Sequence, residues 1–202
     1  MRTLAIVDYG CSNLRSQQNA WRSLGVPTQL VTTPEDIRAA SVLCLPGVGQ
    51  FGYACERMDA LGLRAPLVEA AQSGKPLLGV CLGMQLLFKS SAENNHATQG
   101  LGIFPGQVEK LTAKKLPHTG WNRVASRPHP LLNTAVAPHA YFVHSYHCRP
   151  AAANLTIGTT EYEGEFTCIV AREHIAAMQF HPEKSGDFGL AILQNFRDLY
   201  LR

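Results

Sequence analysis

The sequence predicts an α/β fold in which a largely parallel central sheet is flanked by helices and carries appended antiparallel hairpins. Two observations carry that prediction. In the first half of the chain, short apolar runs alternate with stretches of helical period, the βα rhythm of a parallel sheet covered by helices. From Leu101 onward the texture changes to short β-like runs separated by turn signals.

The first apolar run is Leu4 to Val7, read as a strand. A polar stretch then opens at Asn13, carries Leu14, Ala20, Trp21 and Leu24, and closes at Gly25, which is a helix with a glycine stop. Val42 to Leu45 repeats the strand, a helical region runs from about Ala54 to Gln72, Leu77 to Val80 is a further strand, and a helix spans about Leu82 to Lys89. The β-like runs that follow are Gln107 to Leu111, Tyr141 to Val143, Thr156 to Tyr162, Phe166 to Ala171 and Ile175 to Phe180. Glu163-Gly164-Glu165 and Arg172-Glu173-His174 read as their turns. Phe188, Ile192, Phe196 and Tyr200 recur every fourth residue, so an amphipathic helix ends the chain and packs back on the core. Residues 1 to 202 contain no internal repeat, low-complexity segment or dividing linker and are expected to form a single domain.

Composition narrows the function classes. With 202 residues and 46% hydrophobic content, the chain buries a sizeable core without disulfides or metals. A net charge of +3 from scattered Lys and Arg offers no nucleic-acid surface. The six cysteines lie far apart with no CxxC pair, which fits a reducing compartment. The N-terminus reaches Asp8 after a short apolar run, whereas a secretory signal needs roughly 7–15 apolar residues, and a membrane span needs about 18. A cytoplasmic protein with no membrane contact is the expectation.

Chemistry enters at Gly79-Val80-Cys81-Leu82-Gly83, which follows an apolar strand and precedes the helical Met84-Gln85-Leu86-Leu87-Phe88. This is a nucleophile elbow with cysteine where hydrolases carry serine. The tight turn needs small flanking residues, and it leaves the side chain at a helix N-terminus, where the dipole and a nearby imidazole lower the thiol's pKa toward the thiolate form. The competing reading is a buried cysteine between two packing glycines; the flanking strand and helix argue against it. Of eight histidines, one has the context of a base. Ile175 to Phe180 reads as a strand ending at His181-Pro182-Glu183, and proline biases the residue before it to an extended conformation. His181 and Glu183 then point to one side, and the carboxylate can fix the imidazole tautomer.

These segments, together with Asp8-Tyr9-Gly10-Cys11-Ser12-Asn13-Leu14, Leu45-Pro46-Gly47-Val48-Gly49-Gln50-Phe51, Pro117-His118-Thr119-Gly120-Trp121-Asn122 and Tyr141-Phe142-Val143-His144-Ser145-Tyr146, resemble the class I, triad-type glutamine amidotransferases nearly end to end. The last two narrow the resemblance to the glutaminase subunits of imidazole glycerol phosphate synthases. Ser12 departs from the family's usual glycine, which leaves the shape of that loop less defined.

The resemblance implies that Cys81 attacks the side-chain amide of L-glutamine, that His181 moves the proton, and that Glu183 orients His181. It implies an oxyanion hole from Leu82 and from the Pro46 to Gly49 loop, through Val48 and Gly49. Gly47, Gln85, Glu93, Ser145 and Tyr146 match positions where relatives bind glutamine. The implied partner is a (β/α)8-barrel cyclase subunit, forming a heterodimer and receiving ammonia through an interior channel. Asn13, Trp121, Asn122, Tyr141 and Lys184 match positions at that partner face or at the ammonia exit. No cofactor is implied. No metal site is indicated either, since His144 and His147 lack ligand spacing that beats the strand reading. Rival readings are the glutaminase subunit of a pyridoxal phosphate synthase, a pseudo-enzyme on the same fold, and a stand-alone hydrolase of γ-glutamyl compounds.

Overall fold

The computed structural model describes residues 1–93 and 97–202. The first half is built as β1 (Leu4–Val7), α1 (Leu14–Ser23), β2 (Thr28–Val31), α2 (Pro34–Ala39), β3 (Val42–Gly47), α3 (Phe51–Ala60), α4 (Arg64–Gln72), β4 (Leu77–Cys81) and α5 (Leu82–Leu86). The second half runs β5 (Phe88–Ser91), β6 (Thr98–Gln99), β7 (Phe104–Lys110), β8 (His118–Arg123), β9 (Ala125–Ser126), β10 (His139–His144), β11 (Tyr146–Pro150), β12 (Thr156–Glu161), β13 (Glu165–Arg172), β14 (Ile175–Met178) and α6 (Gly186–Tyr200).

The main sheet has the order β2-β1-β3-β4-β14-β13-β11-β7-β5-β6, and the segment from β2 to β14 is parallel throughout. Each inner strand of that segment is apolar on both faces, as a covered parallel strand must be. Alternate residues separate the two cores. Ala5, Val7, Leu43, Leu45 and Leu77 face one core with Ile37, Phe51, Leu67 and Leu86 from α2 to α5. Leu4, Ile6, Val42, Cys44 and Leu78 face the other with Trp21 of α1 and Ile192 and Phe196 of α6. Beyond β14 the sheet is mostly antiparallel, through β13 against β14, β12 against β13 and β7 against β11, while β5 runs parallel to β7.

Several sequence expectations need correction. The helical region from Ala54 to Gln72 is two helices, because Gly62 takes φ +66° and its N–H bonds Asp59 O while Leu63 N–H bonds Met58 O, a Schellman stop. The same pattern ends α1, where Gly25 N–H meets Arg22 O and Val26 N–H meets Trp21 O. The helix expected to reach Lys89 ends at Leu86. Its last carbonyls are taken by a later segment, with Leu101 N–H on Leu86 O and Phe104 N–H on Leu87 O, and Phe88 and Lys89 become strand β5. The strand expected over Tyr141 to Val143 does not join the main sheet: among the described residues β10 pairs β8 alone, in a separate antiparallel ribbon.

Candidate active site

The parallel strands end together, and that is what gathers the site. Gly47 at the end of β3 is paired with Cys81 at the end of β4, and Val80 is paired with Met178 at the end of β14. The residues after β14 therefore arrive beside Cys81, at the carboxyl edge where open α/β sheets place their ligands.

Cys81 turns the chain from strand to helix at φ 56°, ψ −113°, a conformation that L-residues rarely adopt. The turn is tight enough to need its glycines. A Cβ on Gly83 would stand 1.8 Å from Leu45 O, and one on Gly47 would stand 2.3 Å from the Tyr9 hydroxyl. That hydroxyl donates to Pro46 O at 2.8 Å and pins the end of β3. Leu82 is the first residue of α5, so its N–H belongs to the turn that has no intrahelical acceptor.

His181 follows β14 in extended conformation, and its Nδ1 lies 2.9 Å from Glu183 Oε1, with both side chains almost wholly buried. The remaining nitrogen, Nε2, is buried without a hydrogen bond. Burial alone would lower the imidazole pKa, but the Cys81 sulfur and the Glu183 carboxylate outweigh it and hold the ring above its ordinary value. An imidazole held above its ordinary pKa between a sulfur and a carboxylate is suited to be the acid–base partner of a cysteine nucleophile.

A cavity of about 290 Å³ opens over Cys81 and His181, lined further by Val48, Gly49, Leu82, Gln85, Glu93, Val143, His144, Ser145 and Tyr146. Of the expected glutamine-binding residues, Gln85, Glu93, Ser145 and Tyr146 thus meet in one place, while Gly47 contributes backbone behind it. Both Gln85 Nε2 hydrogens are engaged, with Tyr146 O and with Gln179 Oε1, each at 3.0 Å. Glu93 accepts the Phe51 N–H at 2.6 Å, and its burial raises its pKa while that bond lowers it.

One expected oxyanion donor is turned elsewhere. Val48 N–H donates to Cys11 O at 2.7 Å, so in this conformation it cannot also donate into the cavity. Gly49 beside it takes φ +97° with open space around it. Residues that sequence reasoning passed over also matter. Cys11, given no role of its own by the sequence, supplies the carbonyl that holds Val48, and Gln179, within the run read as a strand from Ile175 to Phe180, donates to Cys81 Sγ at 3.9 Å while accepting from Gln85. Gln179 sits two residues before His181, and that adjacency was its only signal.

Of the residues expected at a partner face, Asn13, Tyr141 and Lys184 belong to elements that meet, since α1 and β10 both contact the turn Pro182–Lys184, whereas the Asn122 amide turns inward to His118 and Glu161 O. Asn13 caps α1 by accepting Ser16 N–H at 3.3 Å, and Lys184 is exposed on the turn. Trp121, 58% exposed, rests edge-on against Tyr141 with ring centroids 6.1 Å apart, and Gly186 lies beneath it. Asn122 is half-buried next to it. No cluster of potential metal ligands occurs among the described residues.

Comparison with known proteins agrees with this geometry. Residues 5–199 match the family model for "Glutamine amidotransferase class-I". The chain is 45% identical to the imidazole glycerol phosphate synthase subunit HisH of Moorella thermoacetica, over 98% of this chain and 96% of that one. It is 46% identical to the subunit of the same name from Sulfurimonas denitrificans, over 96% of each. In fold it is similar to the crystal structure of a glutamine amidotransferase at 17% identity, with a TM-score of 0.77 over 98% of this chain and 99% of that one.

Proposed function

The chain belongs to the class I glutamine amidotransferases, and from that premise we propose that it is the glutaminase subunit of an imidazole glycerol phosphate synthase. The observation that carries the proposal is the juxtaposition at the sheet's carboxyl edge of strained Cys81 with a His181 whose Nδ1 is fixed by Glu183 at 2.9 Å.

Cys81 sulfur attacks the side-chain amide carbon of L-glutamine, and the developing oxyanion is met by Leu82 N–H. His181 gives its proton to the amide nitrogen, ammonia leaves, and a glutamyl thioester remains. Water then attacks the thioester with His181 as base, releasing glutamate and restoring the thiol. Gln85, Glu93, Ser145 and Tyr146 hold the amino-acid end of the substrate.

The ammonia is consumed by a (β/α)8-barrel cyclase subunit, which joins it to a phosphoribulosyl-formimino precursor and forms imidazole glycerol phosphate and aminoimidazole carboxamide ribonucleotide for histidine synthesis. A closed route makes chemical sense, because ammonia released to neutral water is protonated and loses its nucleophilicity. Asn13, Trp121, Asn122, Tyr141 and Lys184 form the face toward that subunit. The chain works in the cytoplasm as one domain; among the described residues no helix is long and apolar enough to cross a membrane.

The engaged Val48 N–H favours a partner-gated glutaminase over a stand-alone hydrolase, since the loop must rearrange before a second oxyanion donor is available. The test is a glutaminase assay on the chain alone, with the barrel subunit, and with barrel subunit and its nucleotide ligand. Turnover that rises at each step supports the reading. Full activity of the isolated chain, or none in any mixture, sinks it.

A further inference from the structure

Behind the cavity lies a buried chain of polar groups that the reaction does not use. His144 Nδ1 is 2.8 Å from Tyr146 O, His144 Nε2 is 3.1 Å from His118 Nδ1, and His118 Nε2 is 3.4 Å from Asn122 Nδ2. Asn122 Nδ2 also donates to Glu161 O at 2.7 Å, and Asn122 Oδ1 accepts Arg123 N–H at 2.8 Å.

The proton positions in this chain are forced. A carbonyl only accepts, so His144 Nδ1 must carry the hydrogen. The ring is neutral, because burial drives its pKa down to about 3, and its Nε2 is therefore an acceptor. His118 Nδ1 must then donate. His118 is itself pushed toward the neutral form by burial, between Phe142 at 4.9 Å and Tyr162 at 4.1 Å, so its Nε2 accepts from Asn122. Arg123 N–H can only donate, which fixes the Asn122 oxygen toward it and the Asn122 amide hydrogens toward Glu161 and His118. Every donor meets an acceptor, and all the bonds run one way, from β8 inward.

We propose that Asn122, His118 and His144 form a directional hydrogen-bonded relay that positions the glutamine-binding segment at Ser145 and Tyr146 from the strand that also carries Trp121. The relay ends on groups that shape the cavity. The Tyr146 carbonyl that His144 holds also accepts from Gln85, Gln85 holds Gln179, and Gln179 reaches Cys81 Sγ. His118 and His144 are paired across the β8–β10 ribbon, so a shift of β8 changes the His118–His144 bond and, through the His144 ring, the bond that orients Tyr146. The roles are positioning roles, and they rest on the reading of this cavity as a glutamine site.

Two measurements test the proposal. Nitrogen-15 NMR of the imidazoles in the wild-type chain should find both His118 and His144 in the Nδ1–H tautomer, the minor form of free histidine; Nε2–H rings in either overturn the relay whatever the substrate. Kinetics in the complex with the barrel subunit form the second arm. His144→Leu leaves the Tyr146 carbonyl with Gln85 as its one remaining donor and should raise the KM for glutamine about tenfold, the scale of one lost buried hydrogen bond, while kcat changes far less. His144→Asn, whose amide replaces Nδ1, should recover most of that loss. An unchanged KM in His144→Leu, or kcat and KM damaged alike in both variants, overturns it. Should His144→Leu fail to fold, the tautomer measurement decides. A wild-type complex that turns over no glutamine sinks the functional reading and leaves the tautomer result standing.

Discussion

Cys81 is the residue at which local preference and chemistry disagree most. Its φ of 56° with ψ −113° lies in glycine territory, where an L-residue costs on the order of 1–3 kcal/mol. A glycine there would lose about 0.5–1 kcal/mol to unfolded-chain entropy, so relief of strain wins. Cys81→Gly is therefore expected to be more stable than Cys81→Ala by on the order of 1 kcal/mol in urea titrations, with both variants devoid of glutaminase activity. If Ala is the more stable of the two, the turn is not strained as described. The buried histidines give a prediction in pH. His144 has a folded pKa lowered to about 3, so it binds a proton more readily unfolded than folded. Its contribution is complete above about pH 6.5 and is lost as pH falls toward 3, at up to on the order of 1 kcal/mol per pH unit. His118 and His147 are lowered by burial and act in the same direction, whereas His181 is raised, so its contribution is already complete below pH 6.5 and does not oppose the trend there. Denaturant midpoints should fall between pH 7 and pH 5, and a flat profile would contradict the neutral buried rings. At this scale the sequence is legible where function fixes neighbours, as at Cys81 and His181-Pro182-Glu183. It is silent on the tie from Cys11 to Val48, which is made by a backbone carbonyl, and a carbonyl leaves no mark on residue type.

Elements with a strong period or a chemical stop could be read in advance. Glycine closed α1 at Gly25, and Phe188, Ile192 and Phe196 of α6 lie buried at the expected spacing. Others had no readable pattern. β2 is an edge strand with two exposed residues of four, and α2 has only six residues, too few to show a period, although Thr33 accepting Asp36 N–H with Pro34 following is a helix-start signal. The early end of α5 came from a tertiary event, capture of its last carbonyls by the Leu101 to Phe104 segment, which no local window contains. The elbow itself is held by contact between elements. A Cβ on Gly83 meets backbone of β3 at 1.8 Å, so α5 would have to move off the sheet. Gly83→Ala should cost 4 kcal/mol or more, on the order of the most damaging single substitutions. Gly74, at φ +84° with open space around it, should cost only about 1–2 kcal/mol on substitution by Ala, from backbone strain alone. Paired urea titrations compare them; equal costs would mean that the elbow is not sterically closed.

For the molecule as a whole, the proposed partner face is linked to the Cys81 site by hydrogen bonds to the backbone of His181. Trp121 leaves most of its ring exposed and leans on Tyr141, whose backbone carbonyl accepts the His181 N–H at 3.2 Å and whose N–H donates to Ser185 Oγ at 2.9 Å. Ser185 Oγ in turn donates to His181 O at 2.6 Å, so the strand beneath Trp121 is tied to His181 on both sides. Val48, which lines the cavity, is 41% exposed, and its N–H is held by Cys11 O, in the loop that leads into Asn13 and α1. A partner that contacts this loop as well as Trp121 can favour a loop state in which Val48 N–H points into the cavity, provided that it binds this state more tightly than the present one. The isolated chain should then bind glutamine but hydrolyse it about a hundred- to thousandfold more slowly than the liganded complex, the value of one oxyanion donor. Trp121→Ala removes an exposed aromatic anchor and touches no group of the triad. It should weaken assembly by about 2 kcal/mol or more, the scale of an interface hot spot, as read by titration calorimetry. At saturating barrel subunit, its glutaminase rate should return to near that of wild type if Trp121 supplies affinity alone. A rate that stays low at saturation would instead place Trp121 in the coupling itself, through Tyr141 to His181. Unchanged affinity would remove Trp121 from the interface.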